Sequence, residues 1–112
     1  MKETDTHKDF AVIIASIKKM ANSILPPNSK MLLYGSRARG DFKDNSDWDM
    51  VIILDKQKAT HEDYDSYAFP FHMLGAEMME IFTPLIYGID QWRQLSSTPF
   101  YENIQKDKLT LL

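Results

Sequence analysis

The chain has 112 residues, of which 44% are hydrophobic and 26% charged, a length and composition that fit one globular domain rather than two. The net charge of −3 comes from interspersed acidic and basic residues, so no basic stretch predicts stable binding to long nucleic acid. The lack of cysteine excludes disulfides and thiolate chemistry. No apolar run is long enough to span a bilayer. We therefore expect a single domain over residues 1–112 that is cytoplasmic and makes no contact with a membrane.

The N-terminal part of the chain predicts an amphipathic helix that packs by one face. Its apolar residues recur at steps of three and four: Phe10, Ile13, Ile14, Ile17, Met20, Ala21 and Ile24. Thr4, Asp5 and Thr6 are candidate N-caps, and the helix is expected to end before Pro26 and Pro27.

Two strands follow, separated by a polar segment. Residues 31–34 form a short apolar run that ends at Gly35. Residues 47–54 form a longer strand whose last five residues are all apolar, which is typical of a strand covered on both faces. The segment between them contains Gly, Asp, Asn and Ser with two arginines, and predicts a turn, a short helical piece and a loop.

The second half of the chain predicts more helix and one further strand. The pattern is helical from residue 60 to about residue 76, with Thr60 and Asp63 as a capping pair and Pro70 as the point where the helix kinks or splits. A strand is predicted over residues 78–87, a helix from about Asp90, and a short helix over residues 98–104. This order predicts an α/β or α+β domain whose small sheet of three to four strands is flanked by helices.

Two aspartates at the start of the second strand are the first candidate site residues. Residues i and i+2 of a strand point to the same face, so Asp47 and Asp49 project side by side while Trp48 points the other way. Two adjacent carboxylates repel each other, and a divalent cation relieves the repulsion. Mg²⁺ binds through one or two carboxylates, waters and substrate phosphates, so the pair predicts a magnesium site.

The bend after the first strand is the second candidate feature. Gly35 permits a turn and lets an anion approach the backbone closely, while Ser36 and Arg37 offer side-chain donors to phosphate oxygens. A short helix after the glycine would direct its free N–H groups toward that anion. A phosphate cradle beside a metal-binding carboxylate pair is what attack on an α-phosphorus requires, with two metal ions as the expected complement.

A third carboxylate from another strand would complete such a site, and two residues are candidates. Glu80 stands within an apolar run, where an unpaired charge is costly to bury, whereas Glu77 lies nearer the junction between helix and strand. We prefer Glu80, as general base and metal ligand, and keep Glu77 as the alternative.

At these residues the sequence resembles the DNA polymerase β-like nucleotidyltransferases and, among them, the minimal nucleotidyltransferases found beside HEPN-domain proteins in prokaryotic toxin–antitoxin modules. The family pattern is Gly-Ser, about ten residues and Asp-x-Asp, matched by Gly35, Ser36, Asp47 and Asp49. The resemblance implies a mixed sheet of the polymerase-palm type, Mg²⁺ dependence, and ATP as the donor. It also implies a tyrosine hydroxyl of a HEPN toxin as the acceptor, and Glu80 is the nearest match to the third acidic residue of the family.

Three functions follow as alternatives. The first is an active transferase that moves a nucleoside monophosphate onto a HEPN-type partner. The second is a catalytically weak antitoxin module that binds a nucleotide or a partner and acts by occlusion; the carboxylate pair argues against it, since a pure binder needs no metal dyad. The third is a transferase that modifies a small molecule such as an antibiotic, and the lack of room for a second helical domain argues against that.

Overall fold

The computed structural model describes the backbone of residues 5–112 and the side chains from residue 10 onward. Of the predicted N-caps, Thr4 lies outside the described residues, and the side chains of Asp5 and Thr6 lie outside the part of the chain whose side chains are described. In chain order the elements are α1 Asp5–Ile24, β1 Lys30–Tyr34, α2 Ser36–Arg39, β2 Trp48–Leu54, α3 His61–Asp63, a π-helical segment Tyr64–Ala68, α4 Phe69–Glu77, β3 Phe82–Gly88, α5 Ile89–Gln94, α6 Pro99–Asp107 and β4 Leu109–Thr110.

The four strands form one mixed sheet in the order β3-β2-β1-β4. β1 is antiparallel to both of its neighbours, whereas β2 and β3 are parallel. The predicted fold class, a small mixed sheet flanked by helices, is confirmed. β4 was not anticipated, because a two-residue strand has no periodicity to detect.

The sheet has two apolar faces, and each is covered by helices. On the face that we call the α1/α4 face, buried strand residues pack with α1 and α4; they include Met31, Leu33, Trp48, Met50, Ile52 and Phe82, beside Ile17 and Phe71. On the opposite face, the α5/α6 face, Leu32, Val51 and Ile53 pack with Trp92 and Ile104. β2 is therefore apolar in both directions, and each large side chain that it buries contributes about 1.5–3 kcal/mol of transfer free energy.

The helical segment in the middle of the chain divides as predicted. Thr60 and Asp63 form a reciprocal capping box at the start of α3, and the chain passes through the π-helical segment before α4 begins with Pro70 in its first turn. The helix runs without a break through this change, and the proline, which lacks an N–H and crowds the preceding turn, stands directly after the π-helical segment. In the described part of the chain, no helix is both long and apolar enough to cross a membrane.

The third strand begins later than predicted, at Phe82 rather than residue 78. Met78 caps the end of α4, and Met79 has a positive φ of 62°, the left-handed conformation in which helices commonly end. The N–H of Glu80 then donates to the carbonyl of Gly75 at 2.8 Å. The prediction that Glu80 lies within a strand is therefore wrong, since the helix ending takes up the first residues of the apolar run.

Candidate active site

The carboxylate pair lies at the N-terminal edge of β2. Asp49 is the second residue of the strand and Asp47 immediately precedes it, so alternation directs both side chains to the α5/α6 face while Trp48 enters the core of the α1/α4 face. Asp47 is exposed and Asp49 is half-buried. Among the described residues, neither carboxylate takes part in a salt bridge.

The negative charges of the two carboxylates lie close enough together to repel each other. Burial, and then the charge of Asp47, raises the pKa of Asp49 above its ordinary value. A divalent cation held by both groups would offset this repulsion, so the donor set fits a hard cation such as Mg²⁺. Within the described part of the chain, no group of three or more metal-ligating side chains comes together. Phosphate oxygens and water would therefore have to supply the remaining ligands.

The Gly35 bend lies directly against this pair. Gly35 has φ 78° and ψ −159°, a conformation essentially restricted to glycine, and an added Cβ would stand 2.6 Å from the Oδ2 atom of Asp49. Its carbonyl accepts the N–H groups of Ala38 and Arg39, which opens α2 at Ser36. The strand ends thus bring the predicted Gly35, Ser36 and Asp49 to one place, with the glycine backbone unshielded by a side chain.

Arg37 points away from this place. Its guanidinium donates to the carbonyl oxygens of Ser46 and Asp44 at 3.0–3.3 Å, and it stacks over the rings of Phe42 and Trp48 with its Cζ atom 4.4 and 4.5 Å from their centroids. Burial lowers the pKa of Arg37, while Glu80 and Asp44 oppose that effect. These contacts tie the loop to the α1/α4 face, and they differ from the phosphate contact predicted for Arg37.

Glu80 contacts Arg37 together with Trp48, one of the side chains that surround Arg37. Its Oε1 atom accepts the indole N–H of Trp48 at 2.8 Å and lies 3.5 Å from the guanidinium of Arg37. Trp48 and Asp49 point to opposite faces of β2, so these contacts hold Glu80 on the side of the sheet away from Asp49. The alternative, Glu77, is exposed at the last turn of α4. Neither glutamate joins the aspartates in a three-carboxylate group.

The parallel register identifies which β3 residues do border the pair. Asp49 is paired with Thr83, and the N–H of Trp48 donates to the carbonyl of Ile81 at 2.9 Å, which extends the ladder to the level of Asp47. Thr83 and Ile81 are both exposed, Ile81 to 58%. Neither residue is predicted from the sequence, because no local pattern gives the register between two strands almost thirty residues apart.

Tyr34 borders the pair from the other side, on β1. It is the cross-strand partner of Asp49, so its ring shares the α5/α6 face. Burial, with Asp49 and Tyr87 nearby, raises the pKa of Tyr34 to about 12. Its hydroxyl therefore stays protonated at neutral pH and acts as a neutral hydrogen-bonding group rather than as a phenolate.

Comparisons with known proteins identify the family and the fold of the chain. The family described as "Polymerase beta, Nucleotidyltransferase" matches residues 9–108. Protein adenylyltransferase MntA of Aphanizomenon flos-aquae (strain 2012/KM1/D3) is 39% identical over 54 residues, a segment that covers 46% of this chain and only 36% of that protein's length. A solved structure described as a toxin–antitoxin with AMP-PNP superposes with a TM-score of 0.65 at 16% identity, over 88% of this chain and 72% of that one.

Proposed function

The chain belongs to the polymerase beta nucleotidyltransferase family, and from that premise we propose that it transfers a nucleoside monophosphate, AMP from ATP, onto a hydroxyl group of a partner protein. The observation that carries the proposal is the contact between the Gly35 bend and Asp49, with Asp47 on the same face. A backbone turn without a side chain, beside two carboxylates that form no salt bridge with the described residues, suits a polyphosphate that arrives with its metal ions.

The transfer needs few protein groups. The acceptor oxygen attacks the α-phosphorus, the bond to the bridging oxygen breaks, pyrophosphate leaves with that electron pair, and the hydroxyl proton passes to solvent. Mg²⁺ bound with the substrate would supply the positive charge that the α-phosphate and the leaving group require. Asp47 and Asp49 are the residues that would hold it, and Gly35 with Ser36 would orient the phosphates.

The proposed acceptor is a tyrosine of a HEPN-type toxin. Two similarities support a protein acceptor: the relative is a protein adenylyltransferase by name, and one chain of the toxin–antitoxin structure has the fold of this chain. A protein docked over the carboxylates would also cover Ile81, which lies at the level of Asp47 immediately before the neighbouring strand and is 58% exposed.

The direct experiment is transfer of label. The purified chain is incubated with α-labelled ATP, Mg²⁺ and the protein encoded beside it, and the modified residue is located by mass spectrometry. We expect label on a tyrosine of the partner, and its loss in Asp49→Asn. Asp65→Asn is the matched control, because it removes an exposed carboxylate of the π-helical segment, which packs on the α1/α4 face of the sheet. Absence of label with the wild-type chain would contradict the proposal.

One observation favours the occlusion alternative. At the candidate site only two carboxylates come together among the described residues, so a metal ion would have fewer protein ligands there than the sequence predicted. If the chain acts by occlusion, Asp49→Asn will neutralise the partner as well as the wild type does, in a growth assay with the partner expressed. If it acts by transfer, the same variant will bind the partner and fail to neutralise it.

A further inference from the structure

A cavity of about 210 Å³ lies on the α5/α6 face immediately beyond the Gly35 bend. Gly35 and Tyr34 form its inner wall, and α6 forms the outer wall through Phe100 and Asn103. Its volume is several times the roughly 30 Å³ that one water molecule occupies. Gly35 borders both the cavity and Asp49, so the backbone of this one residue separates the cavity from the carboxylate.

The lining of the cavity suits a flat aromatic ring with polar edges. Phe100 meets Tyr34 edge-on with ring centroids 5.9 Å apart, which fixes the orientation of a half-buried ring at the wall. Asn103 is exposed on α6 and, in the described part of the chain, its amide makes no hydrogen bond within the protein. One stacking surface and one free amide are the groups that recognise a nucleobase.

The charges at the rim argue against a phosphate in this cavity. Arg39 is the basic residue of the lining, and its guanidinium is already bound by Asp41 at 3.2 Å and by Asp107 at 3.1 Å. Two carboxylates around one guanidinium leave the rim with no surplus of positive charge. A polyphosphate is therefore better placed at the metal-binding pair, and an uncharged ring in the cavity.

We infer that this cavity is the base-binding subsite of the nucleotide site, with Phe100 as the stacking surface and Asn103 as the group that reads the edge of an adenine. The inference rests on the proposed function, since it requires an α-phosphate held near Asp49, on the other side of Gly35 from the base. An amide presents one donor and one acceptor, which matches the N6 and N7 edge of adenine, whereas guanine is the usual partner of an unpaired arginine.

The test separates the base from the phosphates. Calorimetric titrations in Mg²⁺ compare AMP-PNP with inorganic tripolyphosphate, for the wild type, Asn103→Ala and Phe100→Leu. We expect Asn103→Ala to weaken AMP-PNP about tenfold, the value of one or two hydrogen bonds, and to leave tripolyphosphate unchanged. Phe100→Leu keeps an apolar side chain against Tyr34 and should weaken AMP-PNP alone. Gln94→Ala, which removes an exposed amide of α5 outside the cavity, is the matched control.

Each other outcome overturns a distinct statement. If AMP-PNP binds both variants as it binds the wild type, the base lies elsewhere and the inference is wrong. If Asn103→Ala weakens tripolyphosphate equally, the cavity holds phosphate and the inference is again wrong. If the wild type binds GMP-PNP as tightly as AMP-PNP, Asn103 does not select adenine. If the wild type binds neither AMP-PNP nor tripolyphosphate, the proposed function itself fails.

Discussion

Two glycines at the two ends of α2 allow the effect of backbone strain to be distinguished from the effect of steric fit at the site. Gly35 and Gly40 both have positive φ values, 78° and 92°, but a Cβ on Gly35 would meet Asp49 whereas a Cβ on Gly40 would meet no atom within 4 Å. Strain alone should therefore be common to both alanine variants, and displacement of the carboxylate should be specific to one.

We expect Gly40→Ala to lower the free energy of unfolding by about 1–2 kcal/mol while transfer is retained. Gly35→Ala should cost about 1–3 kcal/mol in backbone strain and also reduce transfer about 100-fold, because Asp49 must move. Urea titrations and label transfer measure the two effects. Equal activity of the two variants would show that the approach of Gly35 to Asp49 has no role in the reaction.

Glu80 is the residue at which the sequence prediction and the geometry part most clearly. Its bonds to Trp48 and Arg37 make it a group that positions the loop, whereas the sequence predicted a metal ligand. We expect Glu80→Gln to keep the indole bond, to lower the free energy of unfolding by about 1–2 kcal/mol through the weakened contact with a buried arginine, and to leave divalent-cation affinity unchanged. A large loss of Mn²⁺ affinity, measured by proton relaxation, would restore Glu80 to the metal site.

At the scale of elements, the pairing of β2 with β3 determines what stands beside the aspartates. Neighbouring strands lie about 4.7–4.9 Å apart, so a carboxylate at position 83 would reach a cation shared with Asp49. The sheet therefore offers a place for a third ligand, and this chain has a threonine there.

Thr83→Asp should tighten Mn²⁺ binding about tenfold, because affinity for hard cations rises with the number of charged ligands. Without metal the same variant should unfold at a lower temperature, since a third negative charge joins an already repelling pair. Thr83→Asn is the control, because asparagine has the shape of aspartate without its charge. Its Mn²⁺ affinity and its unfolding temperature should stay near those of the wild type. If the aspartate and asparagine variants bind Mn²⁺ with equal affinity, a side chain at position 83 does not reach a cation bound by Asp49, and the prediction is wrong.

At the scale of the whole molecule, the proposed nucleotide contacts β1, β2, α2 and α6 at once, so binding should be visible in global stability. A ligand at 100 times its Kd stabilises the folded state by about 2.7 kcal/mol. For a domain of this size that corresponds to a rise in Tm of roughly 10 °C or more.

We therefore expect AMP-PNP with Mg²⁺ to raise the Tm of the wild type in calorimetry, and to leave the Tm of Asp49→Asn unchanged. The Asp65→Asn variant should respond as the wild type does. A Tm insensitive to millimolar ligand in the wild-type chain would count against nucleotide binding at this face.

The sequence by itself determined the local features of the site. Alternation along β2 places Asp47 and Asp49 on one face, and a glycine followed by serine at a strand end predicts the bend, because both properties depend on neighbouring residues alone. The same locality explains why the capping box at Thr60 and the division near Pro70 were predicted correctly.

Only the tertiary structure decided which distant residues surround the two aspartates and the Gly35 bend. Glu80 contacts Trp48 and Arg37 because α4 ends through Met79 in a left-handed turn, and Thr83 lies beside Asp49 because β3 starts later and pairs in a particular register. Phe100 reaches the cavity because α6 packs over β1. Helix ends, strand registers and packing between layers depend on contacts between segments far apart in the chain, and a local pattern does not contain them.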